Sequence, residues 1–181
     1  MSSSSDTAAI IYINGFACRG PGFSTAAEFF DSLVQQLDMS GERMKGKDRF
    51  DSTFFQMSME RAAVTDPQIC ALLELTYMAL VEAGVQDFSR LPRQLVGVYV
   101  GSSFADFQQK TLAARSCVGY EHIGAAGNML ANSISHFFQF GGPSMKIDSA
   151  CSSSLQALDV VRTEPSAHTT PTAMRECAKA L

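Results

Sequence analysis

One cysteine stands where an apolar strand gives way to a helical pattern, and its position favours chemistry. The segment 143–147 has the pattern of a strand, and small polar residues surround the cysteine at 148–153 before helical spacing begins. The first turn of a helix leaves backbone N–H groups unpaired, and their partial positive charge favours a thiolate over a thiol. Because the thiolate is the attacking form, the pattern predicts Cys151 as a nucleophile. The simpler alternative is a small buried thiol.

Strands and helices alternate along the chain around this position. Apolar runs at 8–13 and 95–100 predict buried strands, and a third strand leads into Cys151. Capping residues and apolar spacing predict helices behind Thr25, between Asp66 and Gly84, from Ile123 to Phe138, and after Cys151 with Leu155, Leu158 and Val161 on one side. The alternation predicts an α/β layer architecture with a largely parallel sheet.

Composition and charge are those of an ordinary globular protein. The 181 residues are 46% hydrophobic and 18% charged, enough for one domain with a sizeable core. A net charge of −4 gives no electrostatic reason to expect nucleic acid as a partner. No apolar run approaches the length of a membrane span and the first residues lack a signal pattern, so we expect a cytoplasmic protein without a membrane partner. The five cysteines have irregular gaps and predict neither a disulfide framework nor a metal site.

The residues around the cysteine resemble a known active-site motif. Residues 148–155 read DSACSSSL, which is similar to the DTACSSSL motif of β-ketoacyl synthases. Other motifs of that family are matched in the same order: RFDxxFF at 49–55, DPQxRLLLE at 66–74, GVxVG at 96–101 and GPS at 142–144. Residues 118–120 and 132–140 look most like animal-type fatty acid synthases and related iterative polyketide synthases. An ordered set of motifs is more specific than any single one.

The resemblance implies a fold, a reaction and partners. The implied fold is a thiolase-like layered α/β fold, with residues 8–161 as its N-terminal half, a disordered N-terminus at 1–7 and a divergent tail at 162–181. The implied function is that of an acyltransferase of fatty acid or polyketide biosynthesis, in which Cys151 accepts an acyl chain before decarboxylative condensation. Acyl and malonyl groups would arrive on the phosphopantetheine of an acyl carrier protein or domain. The complete domain is expected to be a homodimer, with no bound cofactor or metal.

The sequence also departs from the family pattern. The family's HGTGT and NxGH motifs, which supply two histidines and a lysine for decarboxylation and oxyanion stabilisation, are not found in it. Ser133 and Cys70 stand where the family has arginine, whose multi-donor fork neither can supply. Past Val161 we expect at most a short helix from Thr170 to Leu181 and no further strand. The condensation site is therefore expected to be incomplete in this chain.

These departures leave an alternative function open. The chain would then be a non-catalytic truncated fragment or splice product that acts, if at all, by associating with a full-length ketosynthase. A different thiolase-like condensing enzyme is disfavoured, because the context of residues 148–155 matches the elongating synthases.

Other reactive residue types are assigned structural roles. His136 is predicted to pack in the core, and Asp66 to cap a helix. The basic loop at 43–49 is interpreted as solvated surface rather than a docking site for an acidic carrier protein. The remaining thiols are interpreted as structural or surface residues, and three methionines as core residues: Cys18, Cys70, Cys117 and Cys177, with Met57, Met59 and Met129.

Overall fold

The computed structural model describes residues 12–44, 46, 49–85, 87–88, 96–114, 119–163 and 176–178. The helices are α1 (Ala26–Val34), α2 (Met59–Ala63), α3 (Pro67–Glu82), α4 (Asp106–Ala113), α5 (Tyr120–Ala125), α6 (Met129–Phe138) and α7 (Ser153–Thr163). The strands are β1 (Val98–Gly101), β2 (Ser144–Ile147) and β3 (Glu176–Ala178). Within these residues, no helix is long and apolar enough to cross a membrane.

Strand β1 is the centre of a parallel sheet with the order β2-β1-β3. All four of its residues are buried. Val98 and Val100 join one hydrophobic core, whereas Tyr99 joins a second core on the other face. Burial on both faces is typical of parallel sheets covered by helices. The layered α/β architecture that the sequence predicts is therefore confirmed.

Helices cover the two faces of the sheet unequally. The larger core lies between β1, α3 and α6, and the smaller one lies under α7, where Ala157 and Val161 pack against Tyr99. The larger core holds Phe55, Met57, Ile69, Leu72, Leu73, Leu80, Val96, Val98, Val100, Leu130, Ala131, Ile134, Phe138 and Phe140. Helix α7, which follows β2 in sequence, thus packs on the face of the sheet opposite to α3 and α6.

Helices α1 and α3 begin at the residues that the sequence predicts. The Asp66 side chain accepts a hydrogen bond from the Gln68 N–H at 2.8 Å, and Gly84 follows the helix with φ of +84°. Thr25 Oγ1 accepts from the Glu28 N–H at 3.2 Å at the start of α1. Capping groups therefore predict where these two helices start.

The single helix predicted over 123–138 is wrong, because the structure divides it into α5 and α6. The carbonyl of Gly124 accepts a hydrogen bond from the Asp66 N–H at 2.9 Å. Ala126 then takes an extended conformation, with φ of −71° and ψ of 129°. A tertiary hydrogen bond from the start of α3 therefore takes a carbonyl that a continuous helix would use, and α5 ends there.

The segments predicted at the two ends of the chain lie partly outside the described residues. Residues 8–11 of the predicted first strand lie outside the described residues, and Tyr12 and Ile13 are exposed and not in a strand. In the tail, residues 176–178 form β3 beside β1, so the predicted helix and absence of a further strand are wrong there. These residues form a strand by pairing their backbone with β1, and such pairing with a distant segment cannot be detected from periodicity in the sequence. The segments 1–7, 164–175 and 179–181 lie outside the described residues.

Several predicted core positions are exposed. Leu155 and Leu158 face solvent, because α7 buries Ser153, Ala157 and Val161, which recur every four residues. Ser153 and Ala157 are small, and the backbone of α7 lies close to Gly101 at the end of β1. His136 and Met59 are also exposed, contrary to their predicted core roles, whereas Met57 is buried and Met129 is partly buried.

We expect Asp66→Ala to lower the free energy of unfolding by about 1 kcal/mol, because the N-cap acceptor of α3 is lost. Burial raises the pKa of the Asp66 carboxyl above its usual value, against a lowering by hydrogen bonds from Gln68. The raised pKa means that ionisation of Asp66 opposes folding at neutral pH, and stability gains as the pH falls through it. Asp66→Asn keeps an acceptor without the charge and should match or exceed the wild type at pH 7. Urea unfolding of the three proteins at pH 7 measures this, and equal losses in both variants would contradict it.

Candidate active site

Cys151 lies where the sequence predicts, between a strand and a helix. Strand β2 ends at Ile147, α7 begins at Ser153, and the intervening loop carries Cys151 on the protein surface. The structure places this thiol in the open rather than in the core. The simpler interpretation of Cys151 as a buried thiol is therefore wrong.

The loop in front of Cys151 has a strained backbone. Ala150 has φ of +55°, in the left-handed region that costs a residue with a Cβ roughly 1–2 kcal/mol. Two hydrogen bonds of the buried Ser153 side chain offset this cost. Its Oγ accepts from the Ser149 N–H at 2.9 Å and donates to the Ala150 carbonyl at 2.6 Å. Asp148 Oδ1 also accepts from the Ala150 N–H at 3.3 Å. The loop that presents Cys151 is thus fixed by its own polar side chains.

Two N–H groups near the start of α7, where the sequence predicts unpaired donors, form hydrogen bonds within the same loop. The N–H groups of Ser152 and Ser153 donate to the carbonyls of Ser149 and Ala150 at 3.3 and 3.1 Å. These two donors are thus taken up by the turn. The partial positive charge of the helix start remains, since it is a property of the aligned peptide units of α7.

Gly101 fixes the distance between the sheet and α7. A Cβ at Gly101 would lie 2.6 Å from both Ser153 C and Ser154 N. The next residue, Ser102, donates its N–H to the Ile147 carbonyl at 3.1 Å, which extends the β1–β2 pairing to the edge of the sheet. The start of α7 therefore rests on the carboxyl end of β1, where open α/β sheets commonly bind ligands.

A cavity of about 400 Å³ opens beside Cys151. This volume is within the range of small-molecule sites. Its polar wall near the loop is formed by Ser102, Ser103, Ser153 and Ser154, and its apolar wall by Met44, Phe50, Pro67, Ala71, Leu75 and Phe104. The thiol of Cys151 therefore adjoins a space with a short polar entrance and a largely apolar wall.

A second thiol, Cys70 on α3, lines the same cavity. Burial, together with the nearby carboxylates of Glu74 and Asp66, raises the pKa of Cys70 to about 11. Cys70 is therefore a neutral thiol at pH 7. Burial and Glu82 also raise the pKa of Cys18, which does not line the cavity. The side chains of Cys117 and Cys177 lie outside the described residues.

One ion pair forms part of the cavity wall. Arg19 Nη1 donates to Glu74 Oε2, and both side chains are mostly buried. The segment before Arg19 lies along α3, where the Phe16 N–H donates to Glu82 Oε2 at 2.6 Å. Residues so distant in sequence carry no spacing signal, so the sequence alone does not place Arg19 at the site.

The described histidines stand away from this site. His122 is in α5 and His136 is in α6, both are exposed, and neither lines the cavity. Ser133 is buried on α6 outside the cavity wall. Within the described residues, the cavity therefore brings together two thiols, serine hydroxyls and one ion pair, without an imidazole.

Comparisons with known proteins agree on one family. The family model described as "Beta-ketoacyl synthase, N-terminal domain" matches residues 37–164. The chain is 33% identical to a fatty acid synthase of Anser anser anser over 82% of its own length and 47% of the relative's. It is 36% identical to hybrid PKS-NRPS synthetase 1 of Dothistroma septosporum, over 82% of its length and 4% of the relative's. The chain thus spans about half or less of these relatives.

Solved ketosynthase structures have a similar fold. The oxazolomycin ketosynthase domain OzmH KS7 of Streptomyces albus JA3453 aligns with a TM-score of 0.70 and 27% identity, over 83% of this chain and 31% of that chain. The ketosynthase from module 1 of the bacillaene synthase of Bacillus amyloliquefaciens FZB42 aligns with a TM-score of 0.71 and 25% identity, over 85% and 29%. The predicted thiolase-like fold is confirmed by these neighbours.

We expect Gly101→Ala to lower the free energy of unfolding by about 1–3 kcal/mol, because the new Cβ meets backbone atoms of α7 that cannot move independently. Gly41→Ala is the matched control, since no atom lies within 4 Å of a Cβ there. Its effect should stay within about 0.5 kcal/mol. Thermal and urea unfolding of both variants measure the difference, and equal stability would contradict the close packing.

We expect iodoacetamide at pH 7 to alkylate Cys151 faster than Cys70. Cys151 is exposed, whereas Cys70 is half-buried and, with a pKa of about 11, has only about 10⁻⁴ of its population as thiolate. Peptide mapping by mass spectrometry over a time course measures both rates. Faster modification of Cys70, on protein that remains folded, would contradict the assignment of the accessible thiol.

Proposed function

This chain belongs to the β-ketoacyl synthase family, and we propose that its Cys151 accepts an acyl chain from a carrier-protein thioester. The thiolate attacks the thioester carbonyl, and the carbon–sulfur bond to the carrier's phosphopantetheine breaks. The carrier leaves as a thiol with the proton that Cys151 gives up, and the acyl group remains on Cys151 as a new thioester. The observation that carries the proposal is the exposed thiol on a fixed loop beside a cavity.

Three features of the loop support a transfer reaction at this thiol. The strained Ala150 and the hydrogen bonds of Ser153 hold the backbone on the N-terminal side of Cys151 in one conformation. The start of α7 provides a partial positive charge near a developing anion. Exposure gives a thioester on a large carrier access to the sulfur. Together they favour nucleophilic attack over a purely structural role.

The cavity beside Cys151 is the proposed site for the acyl chain. Its apolar wall includes Phe50, Leu75 and Phe104. Burying methylene groups against such a wall is favourable by about 0.8 kcal/mol each. An acyl chain attached to Cys151 would move from water into this cavity. Its burial there would stabilise the acyl-enzyme. The phosphopantetheine arm of an acyl carrier protein or domain would then enter by the serine-lined side.

Condensation is the next step of the proposed reaction. A malonyl thioester would lose carbon dioxide, its carbanion would attack the acyl group, and Cys151 would leave as a thiolate that takes a proton from solvent. This step needs histidine or lysine groups to stabilise charge. His122 and His136 do not line the cavity. We assign that role to the second half of a complete ketosynthase domain, with motifs such as HGTGT, in which residues 8–161 are the N-terminal portion and the complete domain is a homodimer.

A second candidate function is a non-catalytic fragment that pairs with a full-length ketosynthase. Helix α1 favours it, because an apolar stripe of this helix is exposed: Phe30, Leu33 and Val34, with Leu37 behind it. Uncovered apolar surface of this kind marks an interaction site or an aggregation hazard. A chain that elutes only as aggregate, or only with a ketosynthase bound, would support this alternative.

We expect hexanoyl-pantetheine thioester to add one hexanoyl mass to the purified chain, and Cys151→Ala to abolish the adduct. Intact mass spectrometry on a monodisperse sample with native circular dichroism measures both. Cys18→Ala is the matched control, since this thiol lies outside the cavity and its loss should leave the adduct in place. No adduct on folded protein, or an adduct that survives Cys151→Ala, would overturn the proposed function.

A further inference from the structure

Cys70 shares the cavity with Cys151 but has no part in the proposed transfer. It lies on the face of α3 that also presents Ala71 and Glu74 to the cavity. Its side chain is short, so the space in front of α3 stays open at this position. The motif that residues 66–74 resemble has arginine at this position. Any role of Cys70 must therefore depend on its effect on the shape and charge of the cavity.

The charges on the cavity wall balance each other. Arg19 and Glu74 are the charged residues among those that line the cavity in the described part of the chain, and they form an ion pair. Burial keeps the Cys70 thiol neutral by raising its pKa. A guanidinium in place of this thiol would add an uncompensated positive charge beside Arg19 and compete for Glu74. With Cys70, the cavity is electrically neutral overall.

The volume of the cavity also favours a small side chain at position 70. The cavity holds about 400 Å³, and aromatic and aliphatic groups form much of the wall near Cys70, including Phe50 and Leu75. A long side chain from α3 at position 70 would fill this space. A neutral and open apolar space suits an uncharged hydrocarbon chain, because burying it costs no desolvation of polar groups.

We propose that Cys70 is a specificity-determining residue, which leaves the cavity open and neutral so that long acyl chains fit beside Cys151. This rests on the proposed acyl transfer to Cys151. Acetyl groups do not reach far along the wall, so their transfer is insensitive to the size of residue 70. Dodecanoyl groups extend along the wall, so their transfer depends on it.

The test compares acetyl- and dodecanoyl-pantetheine thioesters as acyl donors, with Cys151 adducts followed over time by intact mass spectrometry. We expect Cys70→Leu, which adds bulk without charge, to lower the dodecanoyl/acetyl rate ratio at least about tenfold, as steric loss of a buried chain does. Cys70→Arg should lower it further because it adds charge as well. Cys70→Ser keeps the volume and should shift the ratio less than Cys70→Leu.

Cys18→Leu is the matched control, because this half-buried thiol lies outside the cavity and its enlargement should leave the ratio unchanged. Thermal unfolding shows whether each variant is folded. A ratio unaffected by Cys70→Leu, or equally lowered by Cys18→Leu, overturns the role of Cys70 while acyl transfer stands. No adduct from either donor overturns the transfer itself.

A binding measurement separates the two proposals further. Dodecanoyl-pantetheine amide cannot transfer its chain, so its affinity for Cys151→Ala reports the cavity alone. We expect calorimetry to show at least about tenfold weaker binding when Cys70→Leu is added to Cys151→Ala. Equal affinity in the two proteins overturns the role of Cys70, whatever the outcome of the transfer assay.

Discussion

The burial of β1 on both faces is the constraint on which the rest of this structure depends. Val98 and Val100 anchor α3 and α6, whereas Tyr99 anchors α7. A strand in this position contributes side chains to two cores, one on each face of the sheet. The end of the same strand, at Gly101, is where α7 starts, so the packing of the sheet also sets the position of Cys151.

Much of this fold could be predicted from local signals. Asp66 predicts the start of α3, and the small residues around Cys151 predict a break between a strand and a helix. The structure has both features. The failures share a tertiary cause. The helix over 123–138 ends early because Gly124 bonds to Asp66, and Leu155 is exposed because the small face of α7 packs on the sheet. Periodicity cannot reveal which of two faces finds a partner.

The candidate site divides in the same way. Cys151 follows from its motif and from the strand–helix junction, so one sequence is enough to find it. The cavity cannot be predicted from the sequence in this way, because α3, the ends of the strands and the segment around Arg19 come together only in the fold. Cys70 illustrates the difference, since the sequence shows only that it replaces the arginine of the motif it resembles, whereas the structure shows it as a neutral thiol that lines the same cavity as Cys151.

The pairing of β1 with β2 has a consequence for how the site comes into being. Val98 lies opposite Ser144, and the chain between them contains α4, α5 and α6. Closing so long a loop costs entropy that only the finished packing returns, so non-local parallel pairing is slow to form. The loop of Cys151 follows β2 directly and rests on Gly101. Its geometry therefore depends on the pairing of β1 with β2, so Cys151 takes its position only once that long-range pairing has formed.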